Sequence, residues 1–162
     1  MAGNAEILGI GELTKQFQKL NVEMRLKTSR RMVAAAGGVL RKEARSIAQG
    51  YGLKKSGALL RNIAIKRERN APSGTEQYNL GVRHGRDLGN GKKIIKYLEV
   101  GKSGRVVTRR ENDPFYWKFL EFDTKRRSAT PFIQKALTNK SAEAIAAMED
   151  RLVKDLVKYN NP

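Results

Sequence analysis

Few side chains in this 162-residue chain are of the types that carry chemistry, and their spacing limits what they can do. Gly101-Lys102-Ser103 has the ending of a phosphate-binding loop. That loop needs a glycine five residues before the second one, and Lys96 stands there, so the match fails. His84 is the sole histidine and precedes Gly85. General acid–base catalysis needs an orienting partner and a pocket, so His84 reads as a solvated turn residue. There is no cysteine, which removes disulfides, thiol nucleophiles and thiolate zinc sites together. Acidic residues are sparse and do not fall in a metal-ligand pattern. Glu111 and Asp113 flank Asn112 and read as turn residues. Glu121 lies in an aromatic segment, so it belongs either to a subunit contact or to a pair with a base such as Arg126. No catalytic residue, metal site or cofactor is expected.

Other residues are dense enough to make contacts instead. Phe115 to Phe122 holds five aromatics in eight positions, the strongest apolar concentration in the chain. It reads as a strand. Trp117 and Phe119 then share one face and Phe122 lies opposite, so both faces need cover and the segment is most simply core. The loop after it carries Lys125, Arg126 and Arg127.

The elements that must position these residues are legible from periodicity. Leu13, Phe17, Leu20 and Met24 recur at helical spacing, and Met32, Ala36, Val39, Glu43 and Ile47 continue a face, giving a helix over 12–49. Unbroken, it would run about 55 Å at 1.5 Å per residue. A domain of this size has a radius of gyration of about 15 Å, so the helix bends or projects. Gly37-Gly38 is the expected bend. Gly50-Tyr51-Gly52 stops it, and Ser56 is expected to cap a short turn. Residues 62–69 and 77–84 alternate as a hairpin across Ala71 to Thr75. Residues 94–100 and 106–108 pair across Gly101 to Gly104, making 86–112 a basic hairpin arm. Thr130 is expected to cap a last helix that begins at Pro131, with Ala142, Ile145, Met148, Leu152, Leu156 and Tyr159 on its face. The fold class is α+β: one domain over 1–162, with an antiparallel sheet of about four strands packed by a long N-terminal and a C-terminal helix, and the arm protruding.

Charge restricts the partners. The net charge is +17, from 33 Lys and Arg against 16 Asp and Glu, which suits a polyanion or an acidic protein surface. Arg30, Arg31, Arg41 and Lys42 on the first helix and Lys125, Arg126 and Arg127 in the loop are the candidates for such contacts. The basic residues are scattered and aromatic residues are only 7%, which speaks against base readout. No apolar run reaches the roughly 18 residues that span a bilayer, and no signal peptide begins the chain, so no membrane is expected.

Asp113 to Thr124, followed by Ala129 to Leu137, resembles a known family. The chain is similar to the lambdoid, HK-ninety-seven-type phage tail-completion and neck proteins, akin to minor tail protein Z. Those proteins carry an aromatic segment ending Glu-Phe-Gly-Thr, a basic loop, and a helix start of the form Pro-Phe-x-x-x-Ala-Leu. Here these are Glu121-Phe-Asp-Thr124 and Pro131-Phe-Ile-Gln-Lys-Ala-Leu137. Gly57-Ala-Leu-Leu-Arg-Asn-Ile63 fits a further Gly-x-Leu-x-x-x-Ile element, so the resemblance runs over about 10–158. Asp123 departs from the family's glycine, a change compatible with a turn even at positive φ.

The resemblance implies a non-enzymatic virion protein of the head–tail connector of a long-tailed phage. It would complete the tail end and join it to the head as a hexameric ring around the DNA channel, beside other neck and tail proteins, with packaged DNA passing nonspecifically. Assembly would take place in the host cytoplasm. Tyr116, Trp117, Phe119, Glu121, Phe122, Pro131 and Phe132 form the expected interface or core motif. Strand edges and the 86–112 arm are the expected subunit contacts. Two alternatives remain: a sequence-nonspecific nucleic-acid-binding protein, marked by salt-sensitive binding of the free monomer, and a small basic RNase acting through His84.

Overall fold

The computed structural model describes residues 22–53, 56–85 and 95–160, together with Gly11, Thr14 and Gln18. The expected face at Leu13, Phe17 and Leu20, and the loop over 86–94, lie outside the described residues.

Two long helices form the body. Helix α1 (Val22–Gly50) runs without interruption through Gly37-Gly38, where a bend was expected. Gly37 serves a close approach. A Cβ on Gly37 would sit 2.9 Å from Ile65 Cγ2 and 3.0 Å from Ile65 Cδ1, whereas one on Gly38 would meet open space. The helix ends in a Schellman motif. Gly52 takes φ +70°, its N–H bonds Gln49 O at 2.9 Å, and Leu53 N–H bonds Ala48 O at 3.0 Å.

Helix α2 (Ala58–Asn62) follows, with Ser56 Oγ accepting from Ala58 N–H at 3.3 Å and Gly57 in the N-cap position. Asn62, buried, donates to Ala58 O and hands the chain straight into strand β1 (Ile63–Arg67). Strand β1 pairs antiparallel with β2 (Tyr78–Val82), Ile63 opposite Val82 and Ile65 opposite Leu80, so the expected hairpin is present. It is tied to α1 through Glu76. That carboxylate accepts from Arg67 at 2.7 and 2.8 Å and from Arg30 at 2.8 Å, and the Arg67 bond, with Arg30 behind it, holds its pKa down at about 2 against the opposing effect of burial.

Strands β3 (Ile95–Val100) and β4 (Val106–Glu111) form a second antiparallel pair, as expected of the arm. The four strands thus make two separate two-stranded sheets rather than one.

The chain closes with α4 (Ile133–Asn160), irregular at Lys140 (φ −122°, ψ 18°). It lies antiparallel to α1, since Arg31 meets Asp155 while Glu43 meets Asn139. Buried alanines let the two helices approach closely: Ala36, Ala44 and Ala48 on α1, and Ala136 and Ala144 on α4. On the expected face of α4, Met148, Leu152, Leu156 and Tyr159 pack with Met24 and Met32. Ala142 is exposed, and Ala144 takes the inward place. The main core lies at the other end of the helix pair, where Ala44, Ala48, Leu59, Ile63, Val82, Leu120, Phe132 and Ala136 meet.

Candidate protein-contact site

The aromatic segment is not a strand. Phe115–Trp117 forms a 3-10 turn and Lys118–Glu121 a single α-helical turn, α3. Pro114 starts the turn, with Trp117 N–H bonded to Pro114 O at 3.1 Å, and Phe122 N–H closes it on Lys118 O at 3.0 Å. Helical winding sorts the side chains by three and four rather than by two. Tyr116 and Leu120 turn inward onto the core, Leu120 buried. Phe115, Phe119 and Phe122, spaced four and three apart, point outward with 48%, 59% and 63% of their surface exposed. The reading of this segment as core therefore holds only for the inward pair and for Trp117, which is half-buried. Trp117 lies 6.4 Å from the exposed His84 ring, and the Lys118 ammonium lies 5.9 Å from the Trp117 ring centre.

Glu121 neither faces a partner nor pairs with Arg126. It is buried, and its two oxygens accept from the N–H groups of Phe132 (2.9 Å), Ile133 (3.1 Å) and Gln134 (2.8 Å). The first N–H groups of a helix have no partner inside it, and the helix dipole favours an anion there. Glu121 thus caps α4 from eleven residues upstream. Thr130, the expected cap, instead donates its hydroxyl to Leu120 O at 3.2 Å while its N–H bonds the same oxygen at 2.7 Å. Phe132 fills the core with no exposed surface, and Pro131 is half-buried.

Between these two anchors the basic loop is held tightly. Thr124 N–H bonds Arg127 O at 3.0 Å, and Arg127 N–H returns to Thr124 O at 3.3 Å. Asp123 does not adopt positive φ; Asn112 is the one such non-glycine among the described residues. Its carboxylate accepts from Ala129 N–H at 2.6 Å, a side-chain task that glycine could not perform. The loop and the aromatic turn together enclose an open depression of about 660 Å³. Tyr116, Phe119 and Leu120 form its floor, and Thr124, Lys125, Arg126 and Arg127 its rim. The two residue groups marked separately in the sequence are brought together here.

The basic residues of α1 go elsewhere. Arg30 is bonded to Glu76, and Arg31 to the buried Asp155, which Arg151 also pairs at 3.0 Å. Lys42 lines a groove between α1 and α4 beside Glu43, Glu143 and Asp150, and Arg41 is half-buried.

The arm presents two unlike faces. Register puts Lys96, Leu98, Val100, Val106, Thr108 and Arg110 on one, with Leu98, Val100 and Val106 exposed by 73%, 67% and 65%. The other carries Tyr97 and Val107 and the Glu99–Arg109 ion pair. From Lys96 to Arg110 every residue except Gly101 and Val107 is exposed, and the two strands chiefly contact each other. The root is fixed at Asp113, a buried carboxylate that accepts from Gly85 N–H at 3.1 Å. Arg110 lies 5.6 Å above the Phe115 ring, joining the arm to the exposed aromatics.

Sequence reasoning missed Glu121, Asp113 and Glu76 as structural anchors. The available signal was a carboxylate inside an apolar or turn segment, which marks an unusual task without naming it. Among the described residues no group of three or more His, Asp or Glu side chains is placed to hold a metal ion, and no helix is long and apolar enough to cross a membrane.

Exposed apolar side chains on a hydrogen-bonded backbone thus lie beside Lys125, Arg126 and Arg127, which have no ion pair among the described residues. Residues 11–122 match the sequence model of a family described as "Bacteriophage HK97-gp10, putative tail-component", and the chain belongs to this HK97-gp10-like family of phage tail components. The match takes in α1, both hairpins and the aromatic turn; the Pro131-Phe132 element lies beyond it. No curated protein and no solved structure shows significant similarity.

Proposed function

We propose that this tail component is a subunit of the head–tail connector. It completes the tail end and joins it to the head as one member of a ring, of hexameric order, around the DNA channel. The observation that carries the reading is the β3–β4 arm, whose Leu98, Val100 and Val106 stay exposed among the described residues. An isolated two-stranded hairpin is marginal in water, and exposed strand edges invite pairing with a neighbour. A contact between the arm of one subunit and a different surface of the next is heterologous, and such contacts close into rings when the rotation permits. The charge of +17 suits a channel through which DNA passes. The subunits would assemble in the host cytoplasm.

Imaging the neck of intact particles by cryo-EM tests this. A ring with the arm of each subunit against its neighbour is expected. A particle lacking the chain, or carrying it away from the head–tail junction, sinks the reading. Nonspecific nucleic-acid binding by the free monomer is the other use of the charge. Salt-sensitive binding of the free monomer to DNA at physiological ionic strength would favour that second use.

A further inference from the structure

Three unpartnered surfaces stand out: the outer face of the arm, the groove between α1 and α4, and the depression between the aromatic turn and the basic loop. The arm is already used by the ring reading. The groove mixes Lys42 and Lys140 with Glu43, Glu143 and Asp150, so its charge selects no partner. The depression is different. Its floor is apolar, with Phe119 59% exposed over Tyr116 and Leu120, and its three charged lining residues are all cations. Lys125, Arg126 and Arg127 take part in no ion pair among the described residues, although carboxylates tie down many other arginines of the chain.

The backbone beneath is fixed on all sides. Asp123 holds Ala129, Thr124 and Arg127 bond each other, Thr130 is bonded to Leu120, and Glu121 caps α4. Cations on a pinned turn lose less freedom on binding than cations on a loose loop. Rigid backbone under unsatisfied side chains is what a preformed binding surface requires.

We propose that this depression docks an acidic segment of a different tail protein, one that seats an aromatic or aliphatic anchor on Phe119 and sets its carboxylates against Lys125, Arg126 and Arg127. The proposal rests on the placement of the chain in the neck. Charge decides the occupant. A second copy of this chain, at +17, would bring mostly cations to a cationic rim, and its arm face carries Lys96 and Arg110 with no carboxylate. Duplex DNA would satisfy the rim but leave the apolar floor without a partner, since phosphates give no apolar contact. An acidic polypeptide with an apolar anchor satisfies both, the anchor supplying affinity and the carboxylates selecting the partner.

The test is photocrosslinking in assembled particles, with Phe119 replaced by photoreactive benzoylphenylalanine and, as control, the same replacement at the exposed Val153 of α4. The expected result is an adduct from position 119, absent from 153, to another virion protein. Mass spectrometry should map it to a stretch where Asp and Glu outnumber Lys and Arg. The double reversal Arg126→Glu, Arg127→Glu should lower the adduct yield by about tenfold, as expected for two rim charges reversed. Melting of the purified variant should stay within about 2 °C of the parent, since both residues are exposed. An adduct to a second copy of the chain or to DNA, no adduct, or a yield indifferent to the reversal overturns the proposal. A ring seen in the neck without the acidic adduct defeats this inference alone. The acidic adduct in particles whose neck lacks the ring defeats the connector reading alone.

Discussion

Replacing Glu121 by alanine should destabilise the whole domain through one distant cap. The carboxylate satisfies three helix-start N–H groups at 2.8 to 3.1 Å. Loss of a helix cap with its favourable dipole interaction costs about 2 kcal/mol in partly buried geometry. Water can reach the freed N–H of Gln134, an exposed residue, but not that of Phe132, which has no exposed surface. One buried, unsatisfied N–H adds about 1–2 kcal/mol. The sum is about 3 kcal/mol, a large share of the roughly 5–15 kcal/mol that holds a domain folded. For a chain of this size it lowers the melting temperature by about 6–12 °C. Glu121→Gln keeps one acceptor oxygen and should fall by about half as much, on the same reasoning. Thr130→Val removes only a hydroxyl bond to Leu120 O and should cost about 1 kcal/mol or less. Thermal unfolding followed by circular dichroism at 222 nm reads all three. The reasoning is refuted if Glu121→Ala melts within about 2 °C of the parent, or if Thr130→Val is the more damaging change.

Three further outcomes follow from the packing and charge. Gly37→Ala and Gly38→Ala should move stability in opposite directions under urea. At 37 the new methyl meets Ile65 at 2.9 Å, and overpacking of about 1–3 kcal/mol outweighs the helix-propensity gain of about 1 kcal/mol, whereas at 38 only the gain remains. Glu76 has its pKa lowered from 4.5 to about 2 by Arg67 and Arg30, so its contribution is complete above pH 4.5 and is lost as pH falls from there towards 2. The stability difference between the parent and Glu76→Gln should therefore shrink over that window, and a difference that stays constant with pH would refute the pairing. Finally, Leu98→Asp with Val106→Asp should leave unfolding within about 0.5 kcal/mol, since both sites are exposed. The same pair should abolish incorporation of the chain into particles, read by gel analysis of purified virions.

Much of this architecture is written in local pattern. Alternation at Tyr78, Leu80 and Val82 gives β2, and the glycine cluster at 101–104 gives the turn of the arm. The recurrence of Met148, Leu152, Leu156 and Tyr159 gives the inward stripe of α4. The aromatic segment was misread because it is apolar nearly throughout, so a period of two and a period of 3.6 fit equally well. The two periods place Phe119 and Phe122 differently, and only the observed winding reveals an outward Phe115, Phe119 and Phe122 over an inward Tyr116 and Leu120. Thr130 has the right type and place for a local cap. Glu121 displaces it because the fold carries a full charge to the helix start, which position in the chain alone does not reveal. Gly37 follows the same logic: a paired glycine suggests flexibility locally, and the approach of Ile65 becomes visible only once β1 lies across the helix. The joining of Phe119 with Lys125, Arg126 and Arg127 was foreshadowed by adjacency, but the shared depression depends on the turn between them.

The closure of Gly85 on Asp113 bears on how such proteins can diversify. Two residues 28 positions apart are held together here by a 3.1 Å bond, which closes at its base the segment carrying the β3–β4 arm. Lengthening an excursion already closed at its base adds little entropic cost, about 0.6 kcal/mol for each doubling. The excursion can therefore grow, shrink or change sequence while the helices and the first hairpin are undisturbed. Evolution can retool the reach of the subunit towards its neighbours without renegotiating how the rest of it folds.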